Sequence, residues 1–245
     1  FGSSRQAAVA PGMFGWGGAK AADVAPRLQG GARPHTALLL IDLQKAFLTG
    51  GWAQHFGFDQ VEPIKQAFSR TQELLRRSER LSNCAVLCTK CYTEGEEADY
   101  DDALSPLLVG VPCVWKPTTD VTRNPAFHEW LRGRLASGVR TLVVGGCTTT
   151  SCVRVSSQAV RETYRKEDLR VVVDLSLCGA RTDNFLPIAD QDPDLLRIYG
   201  RERCQGASPV DLAKFQMESS GVQVVDEFDW AAHEANVADA SASDR

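Results

Sequence analysis

Residues 36–44 read TALLLIDLQ. From Thr36 to Asp42 the run stays apolar with no polar residue at alternate positions. That pattern suits a strand buried on both faces, as in a parallel sheet, rather than one with a solvated side. Asp42 then stands at the carboxyl end of that strand. A carboxylate closing a wholly apolar run is the first residue here with chemical rather than packing interest.

Working outward, strands and helices alternate. Gln60–Arg80 has the spacing of an amphipathic helix, with Val61, Ile64, Phe68, Leu74 and Leu75 on its apolar side. Ala85–Thr89 and Cys113–Trp115 read as strands. Asn124–Ala136 reads as a helix, capped by Asn124, entered through Pro125 and stopped at Gly138. Thr141–Val144 is the next apolar strand, followed after Gly145 and Gly146 by a helix over Ser151–Tyr164. Leu169–Asp174, a helix over Val210–Ser219 and a strand over Val222–Val225 complete the series. Between them Gly179–Pro209 reads as irregular, and its portion 190–208 is long enough for a lid or an oligomer contact. This alternation predicts an α/β fold of three layers, α/β/α, around a mostly parallel, doubly wound sheet. The expected organisation is an irregular N-terminal arm over 1–35, a catalytic-sized domain over 36–226 and a flexible tail over 227–245.

Composition removes several classes of function. The chain has 245 residues with 27 Lys+Arg against 31 Asp+Glu, a formal charge of −4. An acid-leaning chain lacks the basic face of a nucleic-acid binder. No apolar run approaches the roughly 20 residues of a membrane-spanning helix. No basic start followed by an apolar stretch marks a secretory leader, so a cytoplasmic location is expected. The chain begins at Phe1 rather than Met, and further residues are expected ahead of it. The expected partner is a small-molecule substrate, with neither nucleic acid nor membrane.

The eight cysteines are Cys84, Cys88, Cys91, Cys113, Cys147, Cys152, Cys178 and Cys204. A core of this size needs no disulfide staple. Most of these residues lie in apolar runs, where free cysteine packs as a small hydrophobe. Cys84, Cys88 and Cys91 have no second Cys/His pair at finger spacing, so no metal and no cofactor is expected.

In open α/β sheets, ligands bind beyond the carboxyl ends of the strands. Asp42, Lys116 and Cys152 all fall there. A cysteine in the first turn of a helix meets the positive end of the helix dipole and unpaired N–H groups. Those groups, with a nearby lysine, are expected to lower the thiol pKa and to receive an oxyanion. A carboxylate within reach of the sulfur can take its proton and pass it on. Each residue also has a plainer reading: Cys152 as packing, Asp42 as a turn former, Lys116 as a surface cation. His128, beside Trp130, reads as packing or surface.

The order LLLIDLQ…WK…VVGGCTTTSCV resembles the isochorismatase-like cysteine hydrolases over about Thr36–Val225. These include nicotinamidases and N-carbamoylsarcosine amidohydrolases. The resemblance implies that Asp42 is the general base, Lys116 its cationic partner and Cys152, not Cys147, the nucleophile. It also implies a non-proline cis peptide between Cys147 and Thr148, which aims the Thr148 N–H at the oxyanion. Gln44, Phe47, Trp52 and Trp115 are expected at the substrate, and Arg181 at a substrate carboxylate. The metal cluster of nicotinamidases is not matched, since Asp59 has no His two positions on and His55 stands alone. The implied activity is hydrolysis of a small amide or ureido C–N bond through a thioester. Two alternatives stay open: enol-ether hydrolysis of the isochorismatase type, with release of pyruvate, and a non-catalytic binding or assembly protein. A homo-oligomer, dimer or tetramer, is implied by the resemblance alone.

Overall fold

The computed structural model describes residues 35–77, 81, 83–92, 94–188 and 193–232. The arm expected over 1–35 therefore lies outside the described residues except for its last position. Six strands form one sheet: β1 (Thr36–Ile41), β2 (Cys84–Lys90), β3 (Cys113–Trp115), β4 (Thr141–Cys147), β5 (Arg170–Gly179) and β6 (Gln223–Val225). Their order is β3-β2-β1-β4-β5-β6, and each neighbouring pair is parallel. The architecture is the three-layer α/β/α sandwich.

The continuous apolar run of β1 follows from this position. Leu39 and Ile41 enter one core with Val144, Phe127, Val160 and Met217. Leu38 and Leu40 enter the opposite core with Val143, Ile64 and Phe68. All four β1 side chains are fully buried, and each contributes about 1.5–3 kcal/mol of hydrophobic stabilisation. The helices are α1 (Gly51–Phe56), α2 (Glu62–Arg76), α3 (Pro125–Ala136), α4 (Arg154–Thr163), α5 (Pro193–Tyr199), α6 (Arg201–Cys204) and α7 (Pro209–Ser219). Through Ile64, Phe68 and Leu74, α2 covers one face; α3, α4 and α7 cover the other. The Asn124 side chain accepts the Ala126 N–H, and Pro125 opens α3. No helix among the described residues is long and apolar enough to cross a membrane.

The strand order reverses between β1 and β4. Chain leaving β1 travels toward β2 and β3, whereas chain leaving β4 travels toward β5 and β6, and a crevice opens at this switch point. Gly146 lets the two strands approach there. Its φ is +116°, and an added Cβ would fall 2.0 Å from the Ile41 carbonyl oxygen, so only glycine fits.

Four expectations need correction. The segment Gly179–Pro209 carries α5 and α6 rather than irregular chain, although 189–192 lie outside the described residues. The tail expected from 227 does not begin there, because Trp230 is buried against the α2 face of the core. Strand β5 continues past Asp174 to Gly179, so it reaches the crevice. The helix expected from Ser151 instead opens with a π-helical turn, Thr149–Val153, and becomes α-helical at Arg154.

Candidate active site

Three neighbouring strand ends and one helix entry converge at the crevice. Leu40 pairs with Cys88, so Thr89 follows beside Ile41, one residue before Asp42. Lys90 pairs with Trp115, and the Lys116 N–H donates to the Lys90 carbonyl at 2.7 Å. This bond turns the Lys116 side chain toward Asp42. On the other side β4 ends at Cys147, the Cys147–Thr148 peptide is cis, and the π-helical turn carries Cys152. Cys147 itself is fully buried and its thiol donates to the Asp42 carbonyl at 3.2 Å.

Asp42 occupies the left-handed region, with φ +54°. The Thr89 hydroxyl accepts the Asp42 N–H at 3.2 Å and donates to Asp42 Oδ1 at 2.7 Å. Lys116 Nζ stands 2.8 Å from Asp42 Oδ2 and donates to the Thr118 carbonyl at 3.3 Å. Burial on its own would lower the Lys116 pKa, and it is the largest single influence. The charges of Asp42 and Cys152, with Cys91, outweigh it and hold the ammonium above its usual range.

The thiol differs from expectation. Burial first, then the negative charge of Asp42, push Cys152 up to about 11, against the lowering pull of Lys116. The resting group at neutral pH is thus the thiol and not a preformed thiolate. The helix entry does not reverse this, because a buried anion next to a carboxylate is doubly disfavoured.

A cleft of about 560 Å³ opens over these groups. One wall is aromatic: Phe47, Trp52, Phe56 and Tyr92 line it, with the Trp52 ring 5.3 Å from Phe47 and 4.8 Å from Phe56. Thr118, Thr119, Thr148, Thr150 and Ser151 also line the cleft. Arg181 reaches the cleft with its guanidinium 4.4 Å from the centre of the Phe56 ring. Of the residues expected at the substrate, Phe47, Trp52 and Arg181 line the cleft. Trp115 does not: its side chain lies outside the cleft lining and is half exposed, because alternate residues of β3 face solvent.

Gln44 is also outside the cleft lining. It is fully buried, its Oε1 accepts the N–H groups of Cys91 and Tyr92 at 2.8 and 3.2 Å, and its Nε2 donates to the Tyr92 and Ala98 carbonyls at 2.9 and 3.1 Å. Its work is to hold the loop after β2, which brings Cys91 and Tyr92 to the cleft. Thr89, Cys91, Tyr92 and Phe56 were not singled out by the sequence; only strand pairing could have brought Thr89 to Asp42. His128 bridges the Tyr164 hydroxyl and the Thr122 carbonyl at 2.9 and 2.8 Å, a packing role. Asp59 contacts Gln60, and His55 lies against the Phe56 ring. Among the described residues no cluster of three His, Cys, Asp or Glu groups is arranged to hold a metal ion.

A buried acid–lysine pair facing a cysteine at the switch point of a doubly wound sheet defines the class of site. The isochorismatase domain family matches residues 36–186, more than half of the chain. The chain belongs to the isochorismatase family and is an isochorismatase-family hydrolase. Among solved structures it is similar to an isochorismatase family protein from Desulfovibrio vulgaris, at 19% identity and TM-score 0.56, over 84% of this chain and 100% of the other. It is also similar to YcaC from Pseudomonas aeruginosa, described with covalent acrylamide, at 18% identity and TM-score 0.54, over 81% and 78%. N-carbamoylsarcosine amidase from Thermoplasma acidophilum follows at 16% identity and TM-score 0.51, over 79% and 98%. These identities show a shared fold. No curated protein matches the sequence.

Proposed function

We propose that the chain hydrolyses a small amide or ureido substrate, with Cys152 as nucleophile, Asp42 as general base and acid, and Lys116 as the cation beside them. The observation that carries this reading is that Lys116, paired with the buried Asp42 beneath the cleft floor, lines the same cleft as Cys152. The Cys152 proton passes to Asp42 as sulfur attacks the carbonyl carbon. The resulting oxyanion is received by the N–H groups of Thr148 and Cys152. Asp42 returns the proton to the departing nitrogen, the C–N bond breaks and a thioester is left. Water then attacks, giving a proton to Asp42; the C–S bond breaks, Asp42 passes that proton to the sulfur, and the thiol is regenerated as the carboxylic acid leaves. Lys116 supplies the opposite charge 2.8 Å from the Asp42 carboxylate.

The likeness to an amidase and to a protein described with covalent acrylamide supports this chemistry. Arg181, which among the described residues makes no ion pair with a carboxylate, stands at the aromatic end of the cleft and supports a substrate carrying a carboxylate. The exposed apolar side chains Phe58, Phe185 and Leu186 support a homo-oligomer, whose mass in native conditions tests the point. Cys152→Ala should abolish turnover over a library of amides and abolish the acyl adduct seen on that peptide by mass spectrometry. Undiminished activity in Cys152→Ala, with pyruvate released from an enol ether, would overturn the reading in favour of vinyl-ether hydrolysis.

A further inference from the structure

The two oxygens of the Asp42 carboxylate are not equivalent. Oδ1 accepts the Thr89 hydroxyl at 2.7 Å. Oδ2 faces Lys116 Nζ at 2.8 Å, yet among the described residues it accepts no aligned hydrogen bond. Thr89 is itself fully buried. Its oxygen already accepts the Asp42 N–H at 3.2 Å, which leaves its single proton for Oδ1. One side chain therefore ties down both the backbone and one carboxylate oxygen of a residue held at φ +54°.

We propose that Thr89 is a positioning residue that fixes the rotation of the Asp42 carboxylate and so aims it for proton transfer. The inference rests on the reading of Asp42 as the base. Without the hydroxyl, Oδ1 and the Asp42 N–H would each lose a partner in a dry site, which is costly. Lys116 Nζ holds the other oxygen, Oδ2, at 2.8 Å, so the carboxylate is fixed from both sides. In the first step the Cys152 S–H bond breaks and an O–H bond forms on the Asp42 carboxylate. In the second that proton moves to the leaving nitrogen, and Thr89 keeps its own proton throughout. The groups facing the carboxylate are Lys116 after β3, Cys152 in the π-helical turn, Cys91 after β2 and Thr89 at the end of β2; Cys147 faces the Asp42 carbonyl instead.

The test compares Thr89→Val, Thr89→Ala and Thr89→Ser with Asp42→Asn, using kcat, KM and the pH dependence of kcat/KM on an active amide. Loss of the hydroxyl should lower kcat about tenfold or more, with KM changed less. It should also move the acidic limb of the profile upward by roughly half to one pH unit, the size of one hydrogen bond to a carboxylate. Thr89→Ser should restore both to within about threefold of the parent, the residue being spent on rotamer freedom. If the Val variant does not fold, the Ala and Ser pair decides. Ala and Ser variants with the same pH profile as the parent, or with each other, overturn the proposal. An active Asp42→Asn variant instead overturns the reading of Asp42 on which it stands, so the two failures are distinct.

Discussion

Lys116 Nζ stands 2.8 Å from Asp42 Oδ2, and neither side chain exposes any surface. Lysine is almost never buried so completely unless it is paired. Two charges removed from water each cost several kcal/mol, and their mutual attraction returns that only while both are present. Lys116→Met should therefore leave a buried, uncompensated carboxylate and destabilise the protein by about 3–5 kcal/mol. The double variant Lys116→Met with Asp42→Asn should recover much of that loss. Urea unfolding of the three proteins checks the cycle, and an additive double variant would contradict the coupling.

Asp42 affects the Cys152 thiol in two opposed ways. It accepts the proton during turnover, but its negative charge is second only to burial in pushing that thiol up to about 11. The thiolate fraction therefore rises about tenfold for each pH unit below that value. Peptide-resolved alkylation of Cys152 by iodoacetamide should climb steeply from neutral pH and level near pH 11. With Asp42→Asn the charge that raises the pKa is gone while Lys116, which lowers it, remains. Alkylation at pH 8 should then be faster than in the parent even as hydrolysis is lost. Slower alkylation in that variant would show that Asp42 raises thiol reactivity at rest, contrary to the electrostatics of the site.

The strands and the parallel sheet they form were legible because each strand is marked by local composition. TALLLI is apolar throughout because both faces are covered, and Asn124–Pro125 marks a helix start by side-chain chemistry that needs no tertiary context. The strand ends then named Asp42, Lys116 and Cys152. What was not legible depends on distance across the chain. Thr89 meets Asp42 only through the pairing of β1 with β2. Gln44 follows Asp42 closely enough to read as a cleft residue, yet the turn after β1 sends it into the core. Trp115 adjoins Lys116 in sequence, but the period of two in a strand sends neighbours to opposite sides. The thiol pKa failed for a different reason: the helix entry was visible in the sequence, whereas the burial that overrides it was not.

Gln44 gives a prediction about order rather than chemistry. Its side chain satisfies five backbone groups, of Cys91, Tyr92, Glu97 and Ala98, and lies outside the cleft lining. Gln44→Ala should free the loop after β2, with a loss of about 1–3 kcal/mol for the buried groups left unpaired. Amide hydrogen exchange should quicken at 91–92 and 94–98 and stay unchanged in β4. Uniform quickening across the sheet would instead mean that Gln44 supports the whole fold.

Arg181 provides the sharpest test of substrate class. Its guanidinium lies 4.4 Å from the centre of the Phe56 ring at the cleft, and among the described residues no carboxylate is paired with it. A planar fork held by an aromatic face is pre-organised for a carboxylate, and each charge-assisted bond there is worth about 1.5–3 kcal/mol. For amides carrying a carboxylate, Arg181→Ala should lower kcat/KM by roughly 10- to 100-fold. Neutral isosteres of the same amides should change by no more than about threefold, since they gain nothing from the cation. Arg181→Lys should fall between, because an ammonium keeps the charge but loses the fork and the stacking on Phe56. The comparison separates recognition from support of the aromatic wall. If Arg181 served only to hold Phe56, charged and neutral substrates would suffer alike, and the class of substrate would have to be sought among the threonines of the cleft.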